Sequence, residues 1–139
     1  MRYLVKICCI AVSVLIFMAC GSEQNNETSS TEQAPKGMLF SNNPKRGDVV
    51  PNNLVCMVND AYMGKKQIEV PFEGKMYYGC CNMCKERIPK DAKIRYAIDP
   101  YTLEKVDKAT AYIVLIGDQG EVAYFENEAS YRSFEKRRS

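Results

Sequence analysis

YYGCCNMCKERI, residues 77–88, sets three cysteines within five positions at the point where a strand-like run gives way to a helix-like one. Tyr77 and Tyr78 suit a sheet. Residues 82–88 are compatible with a helix, which Pro89 is expected to stop. Cys80 and Cys84 are four apart, so a helical turn would place them about 40° apart around the axis and on one face. Thiols near a helix N-terminus feel its positive end, which favours the thiolate that binds metals. Upstream, Cys56 is separated from this pair by a hairpin-sized gap, and a folded hairpin would bring it alongside.

The hairpin is legible on both sides of Glu73-Gly74: residues 67–72 and 75–79 alternate as strands and the dipeptide is a turn signal. Before them, residues 38–55 hold turn formers (Asn42-Asn43-Pro44, Gly47-Asp48, Pro51-Asn52-Asn53) and read as an irregular lead-in. After them the order recurs. Residues 111–116 and 121–125 flank a turn at Gly117-Asp118-Gln119-Gly120, and a helix is expected over 128–137. Asn127 is placed as its N-cap, and the basic residues Lys136, Arg137 and Arg138 suit its C-terminal end. With an offset of 46, "GKMYYGCCNMCKERI" and "GEVAYFENEASYRSF" share Gly74/Gly120 and Tyr78/Tyr124, with apolar matches at Met76/Val122 and Ile88/Phe134. The expected fold is therefore a small single α+β domain of two strand-turn-strand-helix units. The second unit, over 99–137, is degenerate: Glu126 and Ser130 stand opposite Cys80 and Cys84, so the first copy would carry the chemistry.

Residues 1–19 read as a secretory signal. Arg2 and Lys6 form a positive start, and the apolar run of about 13 residues that follows is too short for a bilayer core. The run ends in Phe17-Met18-Ala19-Cys20, followed by Gly-Ser, and resembles a bacterial lipoprotein signal in which Cys20 is lipidated. Residues 20–37, "CGSEQNNETSSTEQAPKG", carry no aliphatic run or aromatic ring beyond the cysteine and read as a disordered tether. Residues 38–139 form the expected domain, long enough for one modest core. The expected location is the bacterial cell envelope, anchored to the membrane through lipid on Cys20, at the outer membrane or cell surface rather than the inner membrane.

Removing the signal brings the 19 basic residues level with the 17 acidic ones, because Arg2 and Lys6 leave with it. Such a balance gives no reason to expect nucleic acid. Of the 7 cysteines, Cys8 and Cys9 lie in the signal and Cys20 at the lipid site. Cys56, Cys80, Cys81 and Cys84 remain. Four cysteines in an exported chain ordinarily suggest disulfides, but adjacent Cys80 and Cys81 and the single-turn clustering argue against two of them. The sulfur nearby also includes Met57 and Met63. Soft thiolate and thioether ligands select Cu(I), or zinc for thiolates. Three thiolates suit trigonal Cu(I); zinc would need a fourth ligand, for which Cys81 and Asp60 are candidates.

One cysteine, a hairpin-sized gap, then Tyr78-x-Cys80-x-x-x-Cys84 resembles the TRASH and YHS group of small metal-binding modules. Cys56-Met57 and the later "DPYTLEKVDKATAYIV" and "GEVAYFENEASYRSF" are similar in layout to NosL-like copper lipoproteins. The resemblance covers roughly residues 52–135. It implies a treble-clef-like or YHS/NosL-like fold, metal ligation by Cys56, Cys80 and Cys84, and a client metalloprotein or metal transporter as partner. The chain departs from the pattern in having no histidine.

The same residues have plainer readings. Cys56, Cys80 and Cys84 could supply one structural disulfide and a spare thiol, making a structural or interaction lipoprotein without metal. Cys81 could be a small residue beside the site, and Met57 and Met63 core filler. Cys81-Asn82-Met83-Cys84 is also a C-x-x-C, which allows a thiol-disulfide exchange protein, although a thioredoxin-like order needs more alternating strands and helices. Without histidine, Ser-His and Cys-His pairs are excluded, and neither a phosphate loop nor paired carboxylates stand out. The expectation is a binding protein, with Cu(I) first and Zn(II) as the alternative, rather than an enzyme.

Overall fold

The computed structural model describes residues 40–139; the signal, Cys20 and most of the tether expected from the sequence lie outside the described residues. Eight short strands pair in four antiparallel couples with helices between them, the make-up of a small α+β domain. β1 (Val55–Cys56) pairs with β2 (Ala61–Tyr62), and β3 (Ile68–Phe72) with β4 (Lys75–Gly79). Helix α1 (Asn82–Lys90) and the short α2 (Ala92–Arg95) follow. Then β5 (Tyr96–Ile98) pairs with β6 (Lys105–Asp107), β7 (Tyr112–Leu115) with β8 (Val122–Phe125), and α3 (Glu128–Arg138) ends the chain.

The order of a short strand pair, a hairpin and a helix thus occurs twice, and the repeat starts earlier than the sequence suggested. Val55↔Tyr62 and Ile98↔Lys105 are corresponding pairs at the mouth of corresponding turns. Asp60 and Leu103 fall at the same place in those turns, and both adopt the left-handed region with φ 53° and 62°. A non-glycine residue seldom takes this conformation, so its recurrence marks one turn used twice.

Between β3 and β4, Glu73 (φ 48°) and Gly74 (φ 72°) form the two-residue turn, whose left-handed pair matches the twist of the flanking strands. The register from Phe72↔Lys75 to Ile68↔Gly79 turns Val70 and Tyr77 inward. They join Val55, Met57, Ile88 and Ile113 in one buried cluster. Phe125, at the end of β8, is fully buried and packs on Tyr131 and Phe134 of α3 at centroid distances of 5.2 and 5.4 Å.

The two halves are joined by polar contacts. The Tyr77 hydroxyl donates to the Asp107 carboxylate at 2.9 Å, and Lys75 Nζ meets the same group at 2.6 Å. Both ends of the hairpin's second strand are therefore fixed: Asp107 holds one and α1 the other.

Two local expectations change. The lead-in is not merely irregular, because Val49 bridges Val114, Val50 N–H donates to the Ile113 carbonyl at 3.0 Å, and Gly47 N–H to that of Leu115 at 2.8 Å. Helix α1 does not stop at Pro89 but runs to Lys90. Proline has no N–H to give the Lys85 carbonyl four residues back, and the helix ends one residue later. The Asp91 N–H still closes on the Arg87 carbonyl at 2.9 Å, and Arg95 Nη1 donates to that of Ile88 at 2.5 Å. Among the described residues no helix is long and apolar enough to cross a membrane.

Candidate metal centre

Cys56 ends β1, and the chain turns at once through Met57, Val58, Asn59 and Asp60 before returning as β2. This tight turn aims successive backbone N–H groups at the Cys56 sulfur. Burial pushes the thiol up, but the N–H groups of Asn59, Cys80 and Val58, with the Cys80 thiol, outweigh it and hold the pKa below the ordinary value. A fixed set of donors facing a sulfur stabilises its thiolate.

Cys80 follows directly on β4, and Cys81 caps α1 in an extended conformation (φ −154°, ψ 171°). Cys84 falls in the first turn of the helix and is buried. Strand and helix come together closely because residue 79 is glycine: a Cβ there would sit 2.8 Å from Cys84 Cβ and 3.3 Å from Lys85 N. The Cys80 and Cys84 sulfurs are 3.6 Å apart, and those of Cys56 and Cys84 are 3.9 Å apart. All three lie within 4.8 Å of one another.

This spacing has chemical meaning. Sulfurs each about 2.3 Å from one metal would lie about 4.0 Å apart in a trigonal plane, or about 3.8 Å in a tetrahedron. A disulfide would need about 2.0 Å. Cys56, Cys80, Cys81 and Cys84 are all free thiols. The three mutually close sulfurs form a group that could hold a soft metal ion.

The thiols influence one another. Burial first, then hydrogen bonds with Cys81 and Cys80, push the Cys84 thiol up to about 12. The Cys80 thiol is raised by its hydrogen bond to the Cys56 sulfur, then by burial. The Cys84 backbone N–H and thiol lower that of Cys81. Protons are thus retained mainly on Cys80 and Cys84, where a metal would have to displace them, and least on Cys56.

The other sequence candidates are placed differently. Cys81 is exposed, and its sulfur lies 3.5 Å from that of Cys84, outside the mutually close set. Met57 is fully buried in the hydrophobic core. Met63, 39% exposed, follows β2 and bonds through its backbone N–H to the Leu54 carbonyl at 2.8 Å. The Asp60 carboxylate is engaged by Lys108 Nζ.

Sequence reasoning missed three residues around the centre. Asn59 Nδ2 approaches the Cys80 sulfur at 3.5 Å. Lys108, only 4% exposed, donates to the Met57 carbonyl at 2.9 Å as well as to Asp60, and so clamps the turn that follows Cys56. Gly79 allows the close strand-helix approach. The Asn59-Asp60 pair was a readable turn signal, whereas Lys108 is an ordinary lysine until distant contacts bury it. No family model, curated protein or solved structure matches this chain.

Proposed function

We propose that the protein binds a soft metal ion, Cu(I) in the first place, through the thiolates of Cys56, Cys80 and Cys84, and that it captures or delivers this ion at the cell envelope. The observation that carries the reading is the convergence of these three sulfurs, from the end of β1 and the β4–α1 junction, within 4.8 Å. Thiolates favour soft ions over magnesium, calcium or manganese, and three of them satisfy trigonal Cu(I) without a further ligand. The end of β1, the residue after the β3–β4 hairpin and the first turn of α1 supply the three ligands, an order compatible with the treble-clef-like or YHS/NosL-like fold that the resemblance implies. Lipid on Cys20 and the tether would hold the domain near the membrane while leaving it free to meet a client metalloprotein or a metal transporter. A binding role, without turnover, fits a centre made of sulfur ligands alone.

Anaerobic titration of the reduced protein with Cu(I) and Zn(II) against a competing chelator tests the reading. Cys80→Ser and Cys84→Ser should each lose most of the affinity, and binding should weaken as pH falls because protons compete for the sulfurs. If reduced wild-type protein binds neither ion more tightly than about micromolar, far weaker than thiolate-rich structural sites, the metal reading fails. The disulfide reading predicts instead a domain weakened by reductant and indifferent to chelator.

A further inference from the structure

Cys84 belongs to two groups of sulfurs. It stands 3.6 and 3.9 Å from Cys80 and Cys56 on the buried side, and 3.5 Å from exposed Cys81 on the other. Cys56 is 0% and Cys84 5% exposed, so an external reagent cannot easily reach them. Cys80 is partly covered and has the Asn59 amide against its sulfur. Cys81 is exposed at the N-cap of α1, three residues before Cys84, with its sulfur already beside the buried one.

We infer that Cys81 and Cys84 form a dithiol that an external disulfide oxidises, and that this oxidation withdraws Cys84 from the metal centre and releases the ion. The inference rests on the metal-binding reading above and adds its regulation. In the first step the Cys81 thiolate attacks one sulfur of a disulfide RS–SR, forming a mixed disulfide and expelling RS⁻. Cys84, its proton lost to solvent, then attacks the Cys81 sulfur and expels the second RS⁻. Two electrons pass from the protein to the external disulfide, which leaves as two thiols once protonated. Only Cys56 and Cys80 then remain for the ion, and a dithiol reductant reverses the sequence. A bound ion occupies the Cys84 thiolate and should protect the pair, so metal loading and oxidation exclude each other.

The protein with residues 1–20 removed, so that Cys20 adds no thiol, is prepared as wild type and as Cys81→Ser, treated with oxidised glutathione, freed of reagent and titrated anaerobically with Cu(I) against a chromophoric chelator. Oxidised wild-type protein should lose two thiols and bind Cu(I) at least a hundredfold more weakly, with recovery after dithiothreitol. Cys81→Ser should keep its reduced-state affinity through the same treatment, and Cu(I)-loaded wild-type protein should resist oxidation. Trypsin places Cys80, Cys81 and Cys84 in residues 76–85 and Cys56 in residues 47–65. Backbone fragmentation between Cys80 and Cys81 then identifies the Cys81–Cys84 bond. Equal loss of affinity in Cys81→Ser, or a bond that joins the two peptides, overturns the inference. Should reduced wild-type protein fail to bind Cu(I) while the Cys81–Cys84 bond still forms, the metal reading is at fault and the gating falls with it; the dithiol chemistry would stand alone.

Discussion

Asp99 stands in the second half of the chain where Cys56 stands in the first. The Cys56 sulfur faces the backbone N–H groups of Val58, Asn59 and Cys80 and neighbours Cys84 Sγ. The Asp99 carboxylate accepts from the N–H groups of Tyr101 (2.7 Å), Thr102 (3.2 Å) and Glu126 (2.8 Å), and from the Ser130 hydroxyl. Glu126 and Ser130 are the residues that the internal repeat sets opposite Cys80 and Cys84. One framework of converging N–H donors thus serves a cluster of thiols in one copy and a buried carboxylate in the other. Asp99 ties the β5–β6 turn to the start of α3 by hydrogen bonds alone.

Asp99→Asn should destabilise the domain by about 1–3 kcal/mol, the range for buried groups left badly paired. The amide offers one acceptor oxygen and turns its own donors towards groups that also donate. The pH dependence has a definite sign. Burial alone would raise the Asp99 pKa, but the hydrogen bonds from Glu126, Ser130, Tyr101 and Thr102 outweigh it and hold the carboxyl below its ordinary 3.8. Its contribution is therefore complete above the unfolded value and is lost as pH falls through the folded one. Urea midpoints measured from about pH 6 to pH 2 should fall less steeply for Asp99→Asn than for wild type. Parallel profiles would contradict this assignment.

Lys108→Met tests the clamp on the turn after Cys56. The substitution keeps an apolar stem but strips the Met57 carbonyl of its donor and leaves Asp60 without its partner. Asp60 has a side chain 46% exposed and can rehydrate, so the loss should be about 1–3 kcal/mol rather than the larger penalty of a stranded buried charge. Cu(I) affinity should also drop, because the turn presenting N–H groups to Cys56 is less firmly held. Unchanged stability and unchanged affinity would show that the clamp is redundant.

The N-cap of α3 offers a milder test. Asn127 Oδ1 accepts from the Ser130 N–H at 3.0 Å, and Asn127→Ala should cost about 1 kcal/mol of stability. Helix α3 packs through Tyr131 and Phe134 on Phe125 of β8, within the second strand-turn-strand-helix unit, so Cu(I) affinity should be unaffected. A simultaneous loss of metal binding would mean that the second copy supports the first more directly than their contacts suggest.

The parts of this fold that local chemistry determines were legible in the sequence. Glu73-Gly74 marked a turn because its backbone needs two left-handed residues, and Asn127 marked a helix start because its side chain accepts a backbone N–H. The cysteine spacing indicated the cluster because one helical turn brings residues four apart to one face. Strands β5 and β6 were missed, since three residues are too few to display an alternation. The pairing of the lead-in with β7 runs through backbone groups, which turn-forming side chains conceal. Lys108 acquires its role from burial by distant segments, and nothing in its own neighbourhood announces it. Asp99-Pro100 is a readable turn start, served by the Tyr101 and Thr102 N–H groups, whereas the bonds of Asp99 to Glu126 and Ser130 come from a distant segment.

Gly79 and Gly74 lie five positions apart at the two ends of β4, and alanine at each should destabilise the domain for different reasons. At Gly74 the φ of 72° is strained for any side chain although nothing lies within 4 Å of the added Cβ, so Gly74→Ala should cost about 1–2 kcal/mol. At Gly79 the backbone is ordinary, but the new Cβ meets Cys84 Cβ at 2.8 Å and the helix backbone at 3.3 Å. Gly79→Ala must push α1 away from β4, for a comparable loss of about 1–3 kcal/mol. The variants should then separate on binding. Displacing α1 moves Cys84 relative to Cys56, so Gly79→Ala should bind Cu(I) at least tenfold more weakly, while Gly74→Ala, whose strain is confined to the turn, should bind as wild type does. Equal affinities in the two folded variants would mean that the position of Cys84 against β4 does not set metal binding.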